Sequence, residues 1–241
     1  MKRNVTKLLL FTAIIFTFLL LISCEQDDNN NENKKDIIEQ IEPCINLELK
    51  YILLDSSFKS IPYTKIDKKL HFIDSLNNEV VFEVVQRERK FYSTTGGEIK
   101  CPSDNSKKIN VEAEVDNYSM WLVSDSDEVD IKFLISLQAT LGLAKDYAFV
   151  YDRLDIIAFP KKESGNNISY IDIQVNQREN NYFSSSNNFY KPIDSINLKG
   201  KIFYNVYHNP WTVKGYMCYN YEFGLIAFKD SSGKLWILKT N

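Results

Sequence analysis

Ile109-Asn110-Val111-Glu112-Ala113-Glu114-Val115 alternates apolar and polar side chains without a break. A period of two places every apolar group on one side of an extended strand and every polar group on the other. The same rhythm returns in Val129, Ile131, Phe133 and Ile135, and again in Ile171, Ile173 and Val175. Sheets with one face packed and one face wet are typically antiparallel. Turn chemistry joins these runs. Ser75-Leu76-Asn77-Asn78-Glu79 lies between two apolar segments, and so does Lys229-Asp230-Ser231-Ser232-Gly233-Lys234. Phe-x-Asp-Ser leads into both loops, starting at Phe72 and at Phe228. Such short Asn-, Asp-, Ser- and Gly-rich loops predict hairpins. The 15 Phe and 14 Tyr suit strands, where rings pack across neighbours. The expectation is a mainly β domain of eight to ten strands, an antiparallel β-sandwich or alternatively a β-barrel. Leu137 to Tyr147 reads either as a short helix or as a strand with its loop.

Outward from this domain, the first residues have another character. Lys2, Arg3 and Lys7 precede a charge-free apolar run from Leu8 to Ile22. That is the layout of a secretory signal, and the run falls short of the ~20 residues a spanning helix needs. Leu21-Ile22-Ser23-Cys24 then resembles the lipobox of bacterial lipoproteins. The resemblance implies cleavage between Ser23 and Cys24, with lipid on the sulfur and the new amino group of Cys24. Two or more acyl chains anchor a protein stably. Glu25-Gln26-Asp27-Asp28 resembles the surface-export signal of Bacteroidota lipoproteins, which implies an outer-membrane protein facing the cell exterior; a plain periplasmic spacer is the alternative. The polar run through Lys35 cannot build a core. Lys34 to Ile41 has room for one or two helical turns before Pro43. The domain organisation is thus a signal over 1–23, a lipidated flexible tether over 24–43 and one β-rich domain over 44–241.

Two further resemblances concern the domain. Tyr219 to Phe228, with Gly233-Lys234-Leu235-Trp236 behind it, is similar to the last hairpin of uncharacterised Bacteroidota lipoproteins and implies a fold-closing strand pair. Asp74-Ser75-Leu76 and Asp194-Ser195-Ile196 resemble O-glycosylation sites of that bacterial group.

Without Lys2, Arg3 and Lys7, 26 basic residues face 32 acidic ones, a net charge near −6. A mildly acidic chain is poorly suited to a phosphate backbone, so no nucleic-acid partner is expected. The cysteines Cys44, Cys101 and Cys218 form an odd set. A bridge between Cys44 and Cys101 would close a long loop and stabilise by ~4 kcal/mol. Cys218 alternates with apolar neighbours and reads as a small buried side chain. No zinc-type spacing is present.

Chemistry-bearing candidates are few. His71 lies in a strand and His208 beside Asn209-Pro210-Trp211; a nucleophilic device would need one of them held by a carboxylate and facing a serine. No GxSxG elbow exists. Ser124-Asp125-Ser126-Asp127-Glu128-Val129-Asp130 is acidic enough for Ca²⁺ but departs from the EF-hand pattern at Val129. No cofactor or metal is expected. Trp121 and Trp236 fall in strands and are expected in the core. Trp211, after Pro210 in a loop, is the candidate exposed platform for a glycan or protein partner. These features favour a lipid-anchored binding or interaction module. A glycan-directed hydrolase and a lipocalin-like carrier are the alternatives.

Overall fold

The computed structural model describes residues 47–63, 68–101, 104, 106–124, 126–144, 147–162, 166–177, 190–209 and 216–240. Among them are twelve strands: β1 Leu47–Tyr51, β2 Lys69–Ile73, β3 Glu79–Lys100, β4 Lys108–Ser124, β5 Ile131–Ala144, β6 Tyr147–Pro160, β7 Ser169–Gln177, β8 Ile193–Leu198, β9 Lys201–Asn209, β10 Met217–Asn220, β11 Gly224–Lys229 and β12 Leu235–Leu238. A single 3-10 helix spans Asp55–Ser60. Leu137 to Ala144 belongs to strand β5, so the helical alternative for that stretch is not adopted. The short helix expected at Lys34 to Ile41 lies outside the described residues.

The architecture is mainly β and antiparallel. Eleven strands follow one hydrogen-bonded path, β7-β6-β5-β4-β3-β2-β12-β11-β10-β9-β8, curled into a half-barrel. β1 lies off the path and runs parallel to β4, with Leu47 opposite Val111. The two ends of the path approach each other where Asn209 Nδ2 of β9 donates to Ser169 Oγ and to the Tyr170 carbonyl of β7, both at 3.1 Å.

The inner face of the curl is the core. Phe72, Phe82, Phe133 and Phe228, from β2, β3, β5 and β11, are fully buried, with ring centroids 5.0 to 5.6 Å apart. Tilted and edge-on aromatic pairs of this kind add ~0.5–1.5 kcal/mol each beyond their buried area. The segment Leu53 to Tyr63 packs on this core, burying Leu53, Ser57, Ser60, Ile61 and Tyr63 while Asp55, Ser56 and Lys59 stay exposed. Its backbone needs partners there, because unpaired buried amides are costly. Two buried carboxylates supply them: Leu53 N–H donates to Asp116 Oδ2 at 3.1 Å and Leu54 N–H to Asp152 Oδ2 at 3.0 Å. At the far end the Tyr219 hydroxyl donates to the Ser60 carbonyl at 2.7 Å, and Leu225 N–H donates to Tyr63 Oη at 2.5 Å.

The two Phe-x-Asp-Ser loops are the same structure built twice. Asp74 Oδ1 accepts from the N–H groups of Leu76 and Asn78, and Asp230 Oδ1 accepts from those of Ser232 and Lys234. Asn77 and Gly233, at matching positions, take φ of 64° and 84°. Asn and Gly tolerate this left-handed region best, which is why they stand there. The sister turns touch, since Lys234 Nζ lies 3.5 Å from Asp74 Oδ2.

Candidate outer-face site

On the side of β4 to β7 opposite Met120, Leu122, Ile135 and Ile156, three parallel rows of side chains run, of which Asn117 and Ser136 are buried and the rest at least partly open. The register sets Trp121, Leu134, Ile157 and Tyr170 opposite one another in sequence across the four strands. The next row is Ser119, Ser136, Asp155 and Asp172. The third is Asn117, Gln138, Arg153 and Gln174. Neighbouring strands lie ~4.8 Å apart, so each row runs ~15 Å. On β3, Gln86, Glu88 and Lys90 extend the rows by one more strand.

The rows are cross-linked. Asn117 Nδ2 donates to Ser136 Oγ at 2.9 Å. Arg153 Nε donates to Asp155 Oδ2 at 3.1 Å. The Gln138 carboxamide lies between Asn117 and Arg153; with its oxygen turned to the guanidinium it accepts from Arg153 Nε at 3.2 Å. Asp155 is only 14% exposed. Burial pushes its carboxyl up to about 6, the Arg153 charge opposes the rise, and the charge of Asp172 adds to it. Burial likewise raises Asp172 against the pull of Arg153. A perturbed carboxylate pair within a polar cluster is a mark of functional sites. Aromatic surface flanks it. Trp121 packs on Phe159 with centroids 5.6 Å apart, and Lys132 Nζ stands 5.2 Å over the indole. Tyr170, 50% exposed, meets Tyr190 edge-on at 6.4 Å.

Trp236 is buried in the core as expected, its indole N–H donating to Asp230 Oδ2 at 2.9 Å. Trp121 is not in the core. Met120 and Leu122 take the inward positions, and alternation turns the residue between them outward, where it is half-buried. Trp211, Cys44, Ser23 and Cys24 lie outside the described residues. Cys101 is buried and disulfide-bonded, whereas Cys218 is a buried free thiol. Burial pushes the Cys218 thiol up to about 12, partly offset by its hydrogen bond with Tyr216. The acidic stretch after Ser124 holds itself with turn bonds: Ser126 N–H to Ser124 Oγ and Glu128 N–H to Ser126 Oγ, both 3.2 Å. No cluster of three metal-ligating side chains occurs among the described residues. Ser75 and Ser195, of the two Asp-Ser-aliphatic triplets, are both exposed.

A second polar group surrounds His71. Its Nδ1 lies 2.5 Å from Glu79 Oε1, and Lys239 Nζ lies 2.7 Å from Glu79 Oε2. Hydrogen bonds from Lys239 and His71 hold Glu79 below the usual carboxylate range. The group borders a hollow of about 500 Å³ that also meets Lys68, Glu222 and Phe223. Among the described contacts the imidazole meets the Glu79 carboxylate and no serine or threonine hydroxyl. His208 sits in β9 opposite Cys218.

The chain matches no family model, no curated protein and no solved structure. No helix among the described residues is long and apolar enough to cross a membrane.

The outer-face rows were invisible in the sequence because their members come from four strands. One signal existed on β5 to β7: Ser136, Asp155 and Asp172 each lie between two buried apolar neighbours, as Ser136 does between Ile135 and Leu137.

Proposed function

We propose that the protein is a lipid-anchored saccharide-binding module of the bacterial outer membrane, tethered through Cys24 and taking its ligand on the outer face of β4 to β7. The observation that carries the ligand class is the juxtaposition of rows. Carboxamides, a guanidinium and carboxylates stand beside exposed aromatic surface. Sugars present hydroxyls at their edges and weakly apolar C–H faces, so they need planar hydrogen-bonding groups next to a ring. Charge narrows the class. Arg153 answers Asp155, Lys132 stands over Trp121, and the face has no excess of positive charge, so it suits a neutral glycan better than a polyanion. The lipobox-like Leu21 to Cys24 and the polar run behind it support the anchoring.

The test is retention on a panel of immobilised neutral oligosaccharides. Wild-type protein is expected to bind at least one, and Arg153→Ala with Gln138→Ala to lose at least tenfold in affinity. Retention of all binding by the double variant would overturn the reading. Cys24→Ser is expected to release the domain from membranes.

A hydrolase is the second reading, favoured by one observation. Asp155 and Asp172 are direct cross-strand neighbours, whose Cβ atoms stand ~4.5–5.5 Å apart in such pairs, and a retaining glycosidase needs its two carboxyls ~5–5.5 Å apart. Release of reducing ends from a bound oligosaccharide, abolished by Asp172→Asn, would move the assignment from binding to cleavage. The carrier reading gains no support, because the rings of Phe72, Phe82, Phe133 and Phe228 pack against one another inside the curl.

A further inference from the structure

From one strand to the next, the outer face of β4 to β7 repeats itself. Each strand presents an apolar side chain, then a hydroxyl or carboxylate, then a carboxamide or guanidinium. On β4 these are Trp121, Ser119 and Asn117, and on β7 they are Tyr170, Asp172 and Gln174. The repeat has bounds. On β3 the position opposite Trp121 is Gln86, so the apolar row stops at β4. On the other side β7 ends the hydrogen-bonded path. The apolar row is at least partly open along its whole length, and Tyr170 at its β7 end is 50% exposed. Beside it, Asn117 and Ser136 are buried and bonded to each other, while the other polar members are partly open.

A surface that repeats selects a ligand that repeats. Neighbouring strands lie ~4.8 Å apart, about the length of one pyranose unit in an extended chain. Along the rows, each unit of such a chain meets the same surroundings: the apolar row under its C–H face and hydrogen-bonding groups at one edge. A chain lying along the strands would pass from apolar to charged surface within two residues, roughly 7 Å. Its equivalent units would then meet unlike surroundings. A single sugar would cover one or two strands and leave the rest of the apolar row in water.

We propose that the ligand of this face, whose saccharide nature rests on the function proposed above, is a linear oligosaccharide of repeating neutral units that lies across β4 to β7, along the rows, from Trp121 to Tyr170. Four strands at this spacing take about four units. A shorter chain leaves the apolar row part-filled. A longer one gains nothing further, because Gln86 on one side and the end of the path on the other close the row. The two ends differ. At the β4 end Lys132 Nζ stands over the Trp121 indole, so an ammonium donor accompanies the ring. At the β7 end the half-exposed phenol of Tyr170 offers the aromatic surface.

Titration calorimetry of the full-length chain in detergent tests this. The probes are gluco-, manno- and xylo-oligosaccharides, each as a series from the monosaccharide to the hexasaccharide. In the series that binds, affinity is expected to rise with each unit up to about four and then level off. Tyr170→Ala at one end of the row and Trp121→Ala at the other should each weaken the hexasaccharide about fivefold. Lys132→Ala tests the β4 end a second time should Trp121→Ala lose the native circular dichroism spectrum. Thr140→Ala, two residues past Gln138 on β5 and outside the rows, should bind as the wild type does. Equal affinity for the monosaccharide and the hexasaccharide overturns the proposal and leaves the saccharide reading standing. So does hexasaccharide binding that falls with Thr140→Ala and not with the row-end variants. No binding at any length in all three series overturns both.

Discussion

Asp155 of β6 and Asp172 of β7 stand directly opposite each other, and Arg153 holds Asp155 at 3.1 Å. Two carboxyls and one guanidinium on a half-buried face leave one negative charge poorly compensated. The Asp155 carboxyl accordingly moves from 3.8 to about 6. Folding therefore favours its protonated form. From this group the folded state loses stability as pH rises from about 4 to 6, and nothing further is lost above that. A shift of roughly two units sets a ceiling of ~3 kcal/mol. Asp155→Asn, which keeps the shape without the charge, should raise stability at pH 7 by ~1–2 kcal/mol and flatten the slope between pH 4 and 6. Urea melts at stepped pH check this; an unchanged slope would exclude Asp155 as its source.

Gly224 stands at φ 82°, and a Cβ there would overlap the phenol of Tyr63. The close approach lets Tyr63 Oη accept from Leu225 N–H in the buried interior. Gly224→Ala is expected to cost ~2–5 kcal/mol, combining left-handed strain with overpacking. Tyr63→Phe should cost less, ~1–3 kcal/mol, for one orphaned amide. Thermal denaturation of both variants tests the order.

Asp230 serves four donors at once: two turn amides and the Ser232 hydroxyl through Oδ1, and the Trp236 indole through Oδ2. Asp230→Ala leaves the buried Trp236 indole without its acceptor and strips the turn of the carboxylate that holds it. A loss of ~2–4 kcal/mol is expected, with a red shift of Trp236 fluorescence as water enters. A stable variant with unshifted emission would mean the turn holds without its carboxylate.

Cys218 is buried with its thiol pushed up to about 12, so little thiolate exists at neutral pH. Ellman's reagent should find no reactive thiol in the native chain. Unfolding without reductant should expose one, provided Cys24 is lipidated and Cys44 is the partner of Cys101. Two or more thiols after unfolding would contradict the lipidation of Cys24 or the pairing of Cys44 with Cys101.

Some of this structure was legible in the sequence. Alternation identified β4, β5 and β7, and the Asp-led loops marked two hairpins, because turn chemistry is local. The sister relation of the turns showed in Phe-x-Asp-Ser alone, since the rest of each loop differs. β8 to β10 were hard to read, because Asn205 at φ 52° breaks the alternation of β9 and buried polar Asn209 and Asn220 interrupt the apolar pattern. Asp116 and Asp152 gave no warning of their buried roles, since an aspartate that receives backbone amides looks like any other acid in a strand. Trp121 was misplaced for a similar reason: a large ring suggests the core, but the parity set by Met120 and Leu122 decides. The rows of the site depend on strand register, which is a property of pairing between distant segments.

The binding face is tested most directly by nuclear magnetic resonance with an oligosaccharide retained by the protein. Titration is expected to shift the Trp121 indole and the side-chain amides of Asn117, Gln138 and Gln174, together with backbone amides of β4 to β7. Shifts confined to the surroundings of His71, Glu79 and Lys239, with the outer face silent, would contradict the account.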